Sequence, residues 1–187
     1  SGANVALTGS LCLQGACMDL SFPAGTLDLS GYDVRVTDVM DVDGTLRVKG
    51  NESIVAGTFS LDTNTSTVVY HDSATTAWLT NFPTRTFGNL TFGGGKTHGF
   101  GTGPANQITV CGVLDSDAPR DSRSILLSTV DGSQWYLNLA GSSALANKVD
   151  VRDSNASPGK RIEARGSQDS GNNVNWGLRS ATIVWFK

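Results

Sequence analysis

Apolar and polar residues alternate along most of this chain. Thr26-Leu-Asp-Leu-Ser, Tyr32-Asp-Val-Arg-Val, Thr45-Leu-Arg-Val-Lys and Thr58-Phe-Ser-Leu-Asp each place an apolar side chain at every second position. Gln107-Ile-Thr-Val-Cys and Gln134-Trp-Tyr-Leu-Asn-Leu do the same. A period of two sends one set of side chains into a buried layer and the other into water, which is the pattern of a half-buried β-strand. Nowhere do apolar residues recur at i, i+3, i+4 and i+7 through three turns. Only Ser142-Ser-Ala-Leu-Ala-Asn-Lys has the composition of a helical turn, and it is too short to persist alone. The expectation is an all-β protein.

A weak repeat underlies the strands. Gly25-Thr-Leu-Asp-Leu, Gly44-Thr-Leu-Arg-Val and Gly57-Thr-Phe-Ser-Leu share the form Gly-Thr-apolar-polar-apolar, and Asn89-Leu-Thr-Phe and Gln107-Ile-Thr-Val continue a related rhythm. A strand-turn unit that recurs every one to two dozen residues or so points to a coiled solenoid, in which each turn buries its inward face on its neighbours. A β-sandwich is the alternative, because it too has short strands at regular spacing. The small unit and its glycine turns favour the solenoid.

The segment Gly25-Thr-Leu-Asp-Leu-Ser-Gly-Tyr-Asp-Val-Arg-Val resembles the rungs of secreted bacterial β-helix proteins of the autotransporter and filamentous-haemagglutinin kind. Phe87-Gly-Asn-Leu-Thr-Phe-Gly-Gly-Gly and Asp169-Ser-Gly-Asn-Asn-Val-Asn-Trp resemble them as well. The resemblance covers about half of the chain. It implies a right-handed parallel β-helix and an extracellular or cell-surface address, and it carries over no catalytic residue.

With 187 residues the chain is long enough for one domain with a real core, taken here as a single solenoid over 1–187. Charged residues are sparse at 17% and the net charge is -3, so no basic stripe exists to collect nucleic-acid phosphates. No apolar run reaches membrane-spanning length. Of the three cysteines, Cys12 and Cys17 flank Leu-Gln-Gly-Ala, a tight-turn sequence across which a disulfide can close; the alternative is three small buried thiols.

Gly93-Gly-Gly-Lys-Thr fails as a phosphate loop, because Leu90 stands where the first glycine belongs and no helix can open after it. His71 and His98 are too few for most histidine metal sites and neither lies in a nucleophile turn, so both are expected at surface or rung positions. Asp38, Asp41 and Asp43 form one acidic cluster, and Asp115, Asp117 and Asp121 another. Either is a weak candidate for Ca²⁺ through oxygen ligands or for glycosidic carboxylates; the alternative is that these residues start turns. Trp78, Trp135, Trp176 and Trp185 would stack on sugars if exposed in a row, and would be core or end plugs if buried. Asn51, Asn64, Asn89 and Asn155 head Asn-x-Ser/Thr sequences, which fit the surface turns of an exported protein.

Two stretches near the C-terminus shape the functional expectation. Val149-Asp-Val-Arg-Asp-Ser-Asn-Ala-Ser-Pro-Gly and Asp169-Ser-Gly-Asn-Asn-Val-Asn-Trp read as strand and polar turn, the second sealed by Trp176 as a plug. Beyond it, 177–187 end in Ile183, Val184, Trp185 and Phe186, and the N-terminal strand carries Val5 and Leu7. A solenoid end left apolar and without charge can join another subunit, head to tail. The sequence therefore points to a non-enzymatic extracellular structural subunit, without cofactor, whose partner is a copy of itself. A glycan-binding adhesin module is the second reading and a polysaccharide-active enzyme the third.

Overall fold

Period-two alternation becomes short strands that pair in one direction only. The computed structural model describes residues 2–15, 18–71, 77–78, 82–117, 122–141 and 143–179, and every strand ladder among them is parallel. Parallel neighbours need a long return connection, so the β-sandwich is excluded and the chain is a β-solenoid of about seven turns.

One face is built by β1 (Asn4–Ala6), β4 (Thr26–Asp28), β6 (Thr45–Val48), β8 (Thr67–Tyr70), β11 (Asn89–Gly93), β14 (Val113–Asp117) and β17 (Ser143–Leu145), bonded in that order. A second face comprises β9 (Ala77–Trp78), β12 (Thr97–Phe100), β15 (Ser124–Ser128), β18 (Val149–Val151) and β21 (Gln168–Asp169). A third comprises β10 (Thr86–Phe87), β13 (Ile108–Val110), β16 (Trp135–Leu139) and β19 (Ser154–Asn155). From β8 to β19 the chain visits the three in rotation. In the first turns β2 (Leu11–Leu13), β3 (Leu20–Phe22), β5 (Val34–Val42) and β7 (Ile54–Leu61) take over the second and third faces. There β5 pairs with β2 through Val34–Val36 and with β3 through Met40–Val42. At the far end β20 (Ile162–Arg165), beside β17, pairs with β22 (Trp176–Arg179).

In-register stacking puts like on like. Leu27, Leu46, Val68, Leu90, Leu114 and Ala144 form one inward column, and they lie 19, 22, 22, 24 and 30 residues apart. The first five are 0–3% exposed. Burying each such side chain contributes about 1.5–3 kcal/mol, an upper figure because the unfolded chain already hides part of this surface. Aromatic rings fill the wider middle. Phe82 contacts Phe59, Tyr70 and Phe87 at centroid distances of 5.6, 6.2 and 5.4 Å, and Phe100 stacks on Trp135 at 3.9 Å.

The repeat read from the sequence is half right in its register. Thr26 and Thr45 are true equivalents, but Gly57-Thr58 belongs to β7 on another face, and Thr67 is the next member of the column. The corner before this face stays small because carbonyls of the preceding turn fill the space a side chain would need. A Cβ on Gly88 would lie 2.6 Å from the Ser66 oxygen, and one on Gly44 would lie 2.7 Å from that of Gly25. The segment with helical composition is instead strand β17, because its backbone groups pair with β14. Gly93 ends β11, and Gly94 and Gly95 turn the chain towards β12.

Candidate functional site

The polar C-terminal sequence folds into a corner between the second and third faces. Gly171, Asn172 and Asn175 take positive φ (102°, 56° and 64°), conformations that glycine and asparagine tolerate best. Their amides then bond across the turns. Asn172 Nδ2 donates to Asp153 Oδ1 at 2.7 Å, and Asn173 Nδ2 donates to the Val151 carbonyl at 2.7 Å and to Asp169 Oδ1 at 2.6 Å. Asn175 Nδ2 reaches the Ala156 carbonyl at 2.9 Å. Asp153, itself buried and at φ 55°, accepts the Gly132 N–H at 3.1 Å. Trp176 is buried and its indole N–H donates to Ser154 Oγ at 2.9 Å, so it closes the turn as a plug. The corner's short polar side chains thus bond backbone and one another across the turns.

Beside this corner lies an open groove of about 510 Å³. Its walls come from the loops at Thr102–Gly103 and Gly132–Gln134, from Tyr136 on β16 and from Asn172. Gln134 is held from both sides: its Nε2 donates to the Asn172 carbonyl at 2.9 Å, and its Oε1 accepts Asn155 Nδ2 at 3.1 Å. Tyr136 is half-buried, points outward between buried Trp135 and Leu137, and sits next to Asn155 on the adjoining turn. The sequence reading missed Tyr136 as a site residue; its signal was the alternation of β16, which sends Tyr136 and Asn138 outward.

A second, smaller groove of about 290 Å³ runs along the N-terminal strands and includes Asp28 and Arg47. Asp28 meets Arg47 Nε at 3.2 Å and His71 Nε2 at 3.1 Å. Partial burial raises its pKa, but the Ser30 N–H and the His71 ring outweigh that and hold the carboxyl below its usual range. Ser30 Oγ donates to the same Asp28 oxygen that meets His71, so this Ser, His and Asp do not form a relay with the serine on the imidazole.

His98 is a rung residue of the interior with no exposed surface. Its Nε2 lies 3.2 Å from the Gly93 carbonyl, Nδ1 has no partner among the described residues, and burial pushes its pKa down to about 4.

The acidic clusters do not converge. Asp38 and Asp41 lie on β5 and Asp43 on the turn into β6, where its N–H bonds the Phe22 carbonyl. Desolvation, then the charges of Asp41 and Asp62, push the Asp43 pKa up. Asp115 turns back to accept the Ser116 N–H at 2.7 Å. Asp117 ends β14 with a side chain outside the description, and Asp121 is among the residues not described. Among the described residues no three His, Cys, Asp or Glu side chains come together at metal-ligand spacing; Asp38 and Asp41 are positions within β5 and Asp43 lies in a turn.

Cys12 is exposed on β2 and Cys17 is not described, so their pairing falls outside the described residues. Trp135 and Trp176 are buried, which removes them from any exposed tryptophan row; Trp185 and the side chain of Trp78 are not described. Of the Asn-x-Ser/Thr sites, Asn51 and Asn64 are exposed on turns, whereas Asn89 bridges turns by donating to the Ser66 carbonyl at 3.1 Å and accepting the Val113 N–H at 2.9 Å.

The N-terminal end differs from the rest of the molecule. All three β1 residues are exposed and, among the described residues, pair with β4 alone; Val5, at the head of the leucine column, is 43% exposed. Leu7, Leu11, Leu13, Leu20 and Phe22 are half-buried against the core, and Met18 is 37% exposed. At the other end Gly177–Arg179 of the tail pair with β20 in the same chain, while 180–187, with Ile183, Val184, Trp185 and Phe186, lie outside the described residues.

Compared with known protein families, with characterised proteins and with solved structures, the chain matches none. What is established is the class: an all-β, parallel β-solenoid. No helix among the described residues is long and apolar enough to cross a membrane.

Proposed function

We propose that this chain is an extracellular structural module whose solenoids stack end to end into filaments. The observation that carries this reading is the half-open first turn. Val5 heads a column whose next five members are 0–3% exposed, and among the described residues its strand has one unpaired edge. Such an edge templates further pairing unless it is blunted by charge, proline or a covering element. Between residues 2 and 15 no charged side chain and no proline stands guard. A second copy is the occupant we assign, because the last described strands at the opposite end, β20 and β22, are also parallel. Contact between unlike ends does not close on itself and builds open filaments. The turns rich in Asn, Ser and Thr and the resemblance to secreted β-helix proteins support the surface address.

Sedimentation velocity over a concentration series tests the reading. The chain should grow from monomer into long species as concentration rises, and Val5→Asp should hold it at monomer while its circular dichroism stays that of a β-protein. A wild-type chain that remains monomeric at the highest concentration refutes end stacking.

A further inference from the structure

From the chemistry of its walls, we infer that the groove beside the C-terminal corner binds a neutral oligosaccharide. The groove opens on the side of the solenoid, at the loops between its second and third faces, and its test reads the monomer, so the two readings stand or fall separately.

Its lining holds hydroxyls, primary amides, glycine backbone and one aromatic ring: Thr102, Ser133, Gln134, Tyr136 and Asn172, with Gly103 and Gly132 between them. No charged side chain is among them, so a phosphate, carboxylate or amine ligand would find no counter-ion. An apolar ligand would find too little apolar wall to replace its lost hydration. A sugar ring carries both surfaces that this lining offers to match: hydroxyls for the amides and a C–H face for a tyrosine ring.

The amides are also set before any ligand arrives. Asn172 is pinned through Nδ2 to buried Asp153, and Gln134 is clamped between Asn172 and Asn155. Asp153 simultaneously fixes the Gly132 N–H, so both rims of the groove hang on one buried carboxylate. Behind Tyr136, Trp135 is locked by its stack on Phe100 and by the bond from its indole N–H to the Arg152 carbonyl at 3.1 Å. Ordering these groups therefore costs little on binding, which is what a shallow polar site needs to hold a ligand at all. The adjoining outward positions Asn155 and Asn138 extend a polar track along the third face, suited to a chain of sugars rather than a single ring.

The test is titration of the full chain, at a concentration where it is monomeric, with neutral hexasaccharides (cellohexaose, maltohexaose, mannohexaose and chitohexaose) and with a hexauronate as the charged comparison. Isothermal calorimetry and chemical-shift mapping supply the readout. At least one neutral hexasaccharide should bind with a Kd of about 1 mM or tighter. Tyr136→Ala should weaken it tenfold or more and Tyr136→Phe much less, with thermal melting unchanged in both. Gln134→Ala should also weaken it and keeps the test sound if the tyrosine variants misfold. Absence of binding by every neutral sugar at about 10 mM overturns the inference, as does tighter binding of the hexauronate or affinity indifferent to both residues.

Discussion

His98 sits on β12 with no exposed surface, registered against Leu126 of β15, its ring centroid 4.9 Å from that of Phe92 and 6.1 Å from that of Tyr70. One ring nitrogen faces the Gly93 carbonyl and the other has no partner among the described residues, so a second proton would enter a pocket walled by Phe92 and Tyr70 without an acceptor there. Burial accordingly moves the pKa from 6.5 to about 4. A base whose folded pKa is depressed favours the native state above its unfolded pKa and loses that contribution as pH falls toward its folded pKa. The window is therefore pH 6.5 down to about 4, with the loss levelling off below it. The full span corresponds to about 3 kcal/mol, and the part between pH 7 and 4.5 to roughly 2–2.5 kcal/mol. The carboxylates held low by the fold, Asp28, Asp62 and Glu163, are the same in both proteins, so their loss at acid pH cancels in the comparison with a His98 variant. The perturbation is His98→Leu, which keeps an apolar side chain of similar size and removes the titration. Urea unfolding of both proteins at several pH values between 7 and 4.5 should show wild type losing about 2 kcal/mol more than the variant across that range, with similar m-values. Parallel stability curves for the two proteins would refute the reasoning.

Other parts of the fold give equally direct tests. Glu52 is 9% exposed, and its carboxylate gathers the N–H groups of Lys49, Gly50 and Gly31 at 2.6, 2.7 and 3.1 Å; Glu52→Ala should cost about 3 kcal/mol in denaturant unfolding, because three donors lose a charged acceptor. Gly88→Ala should cost about 1–3 kcal/mol, since its Cβ meets the Ser66 and Asp62 carbonyls at 2.6 and 2.7 Å, whereas Gly9→Ala, with nothing within 4 Å, should be close to neutral by thermal melting.

Strand identity was legible because it is local: alternation over five residues is enough to mark β4, β6 or β16. The polar corner was legible for the same reason, since Asp169-Ser-Gly-Asn-Asn carries its turn chemistry in its own composition. What escaped is set by stacking across about twenty residues. Gly57-Thr58 has the local form of Gly44-Thr45 yet pairs on a different face, and only parallel register separates them. Glu52, Asn89 and Tyr136 look like ordinary polar or aromatic positions in a strand-rich chain. Each acquires its role from a partner one or more turns away, such as Gly31 for Glu52 and Val113 for Asn89. Asp38, Asp41 and Asp43 show the reverse: neighbours in sequence, they are dealt to a strand and a turn, and they do not come together at metal-ligand spacing.

The claim that these solenoids stack end to end is tested most directly by electron cryomicroscopy of the concentrated wild-type protein. Seven strands of the longest face at about 4.8 Å spacing, extended by β20 and β22, give a subunit length of roughly 35–45 Å. The account predicts unbranched filaments with that axial repeat and with strand spacing continuous through the junction at β1. Single particles whose first turn stays uncovered, or filaments joined through the side of the solenoid, would contradict it.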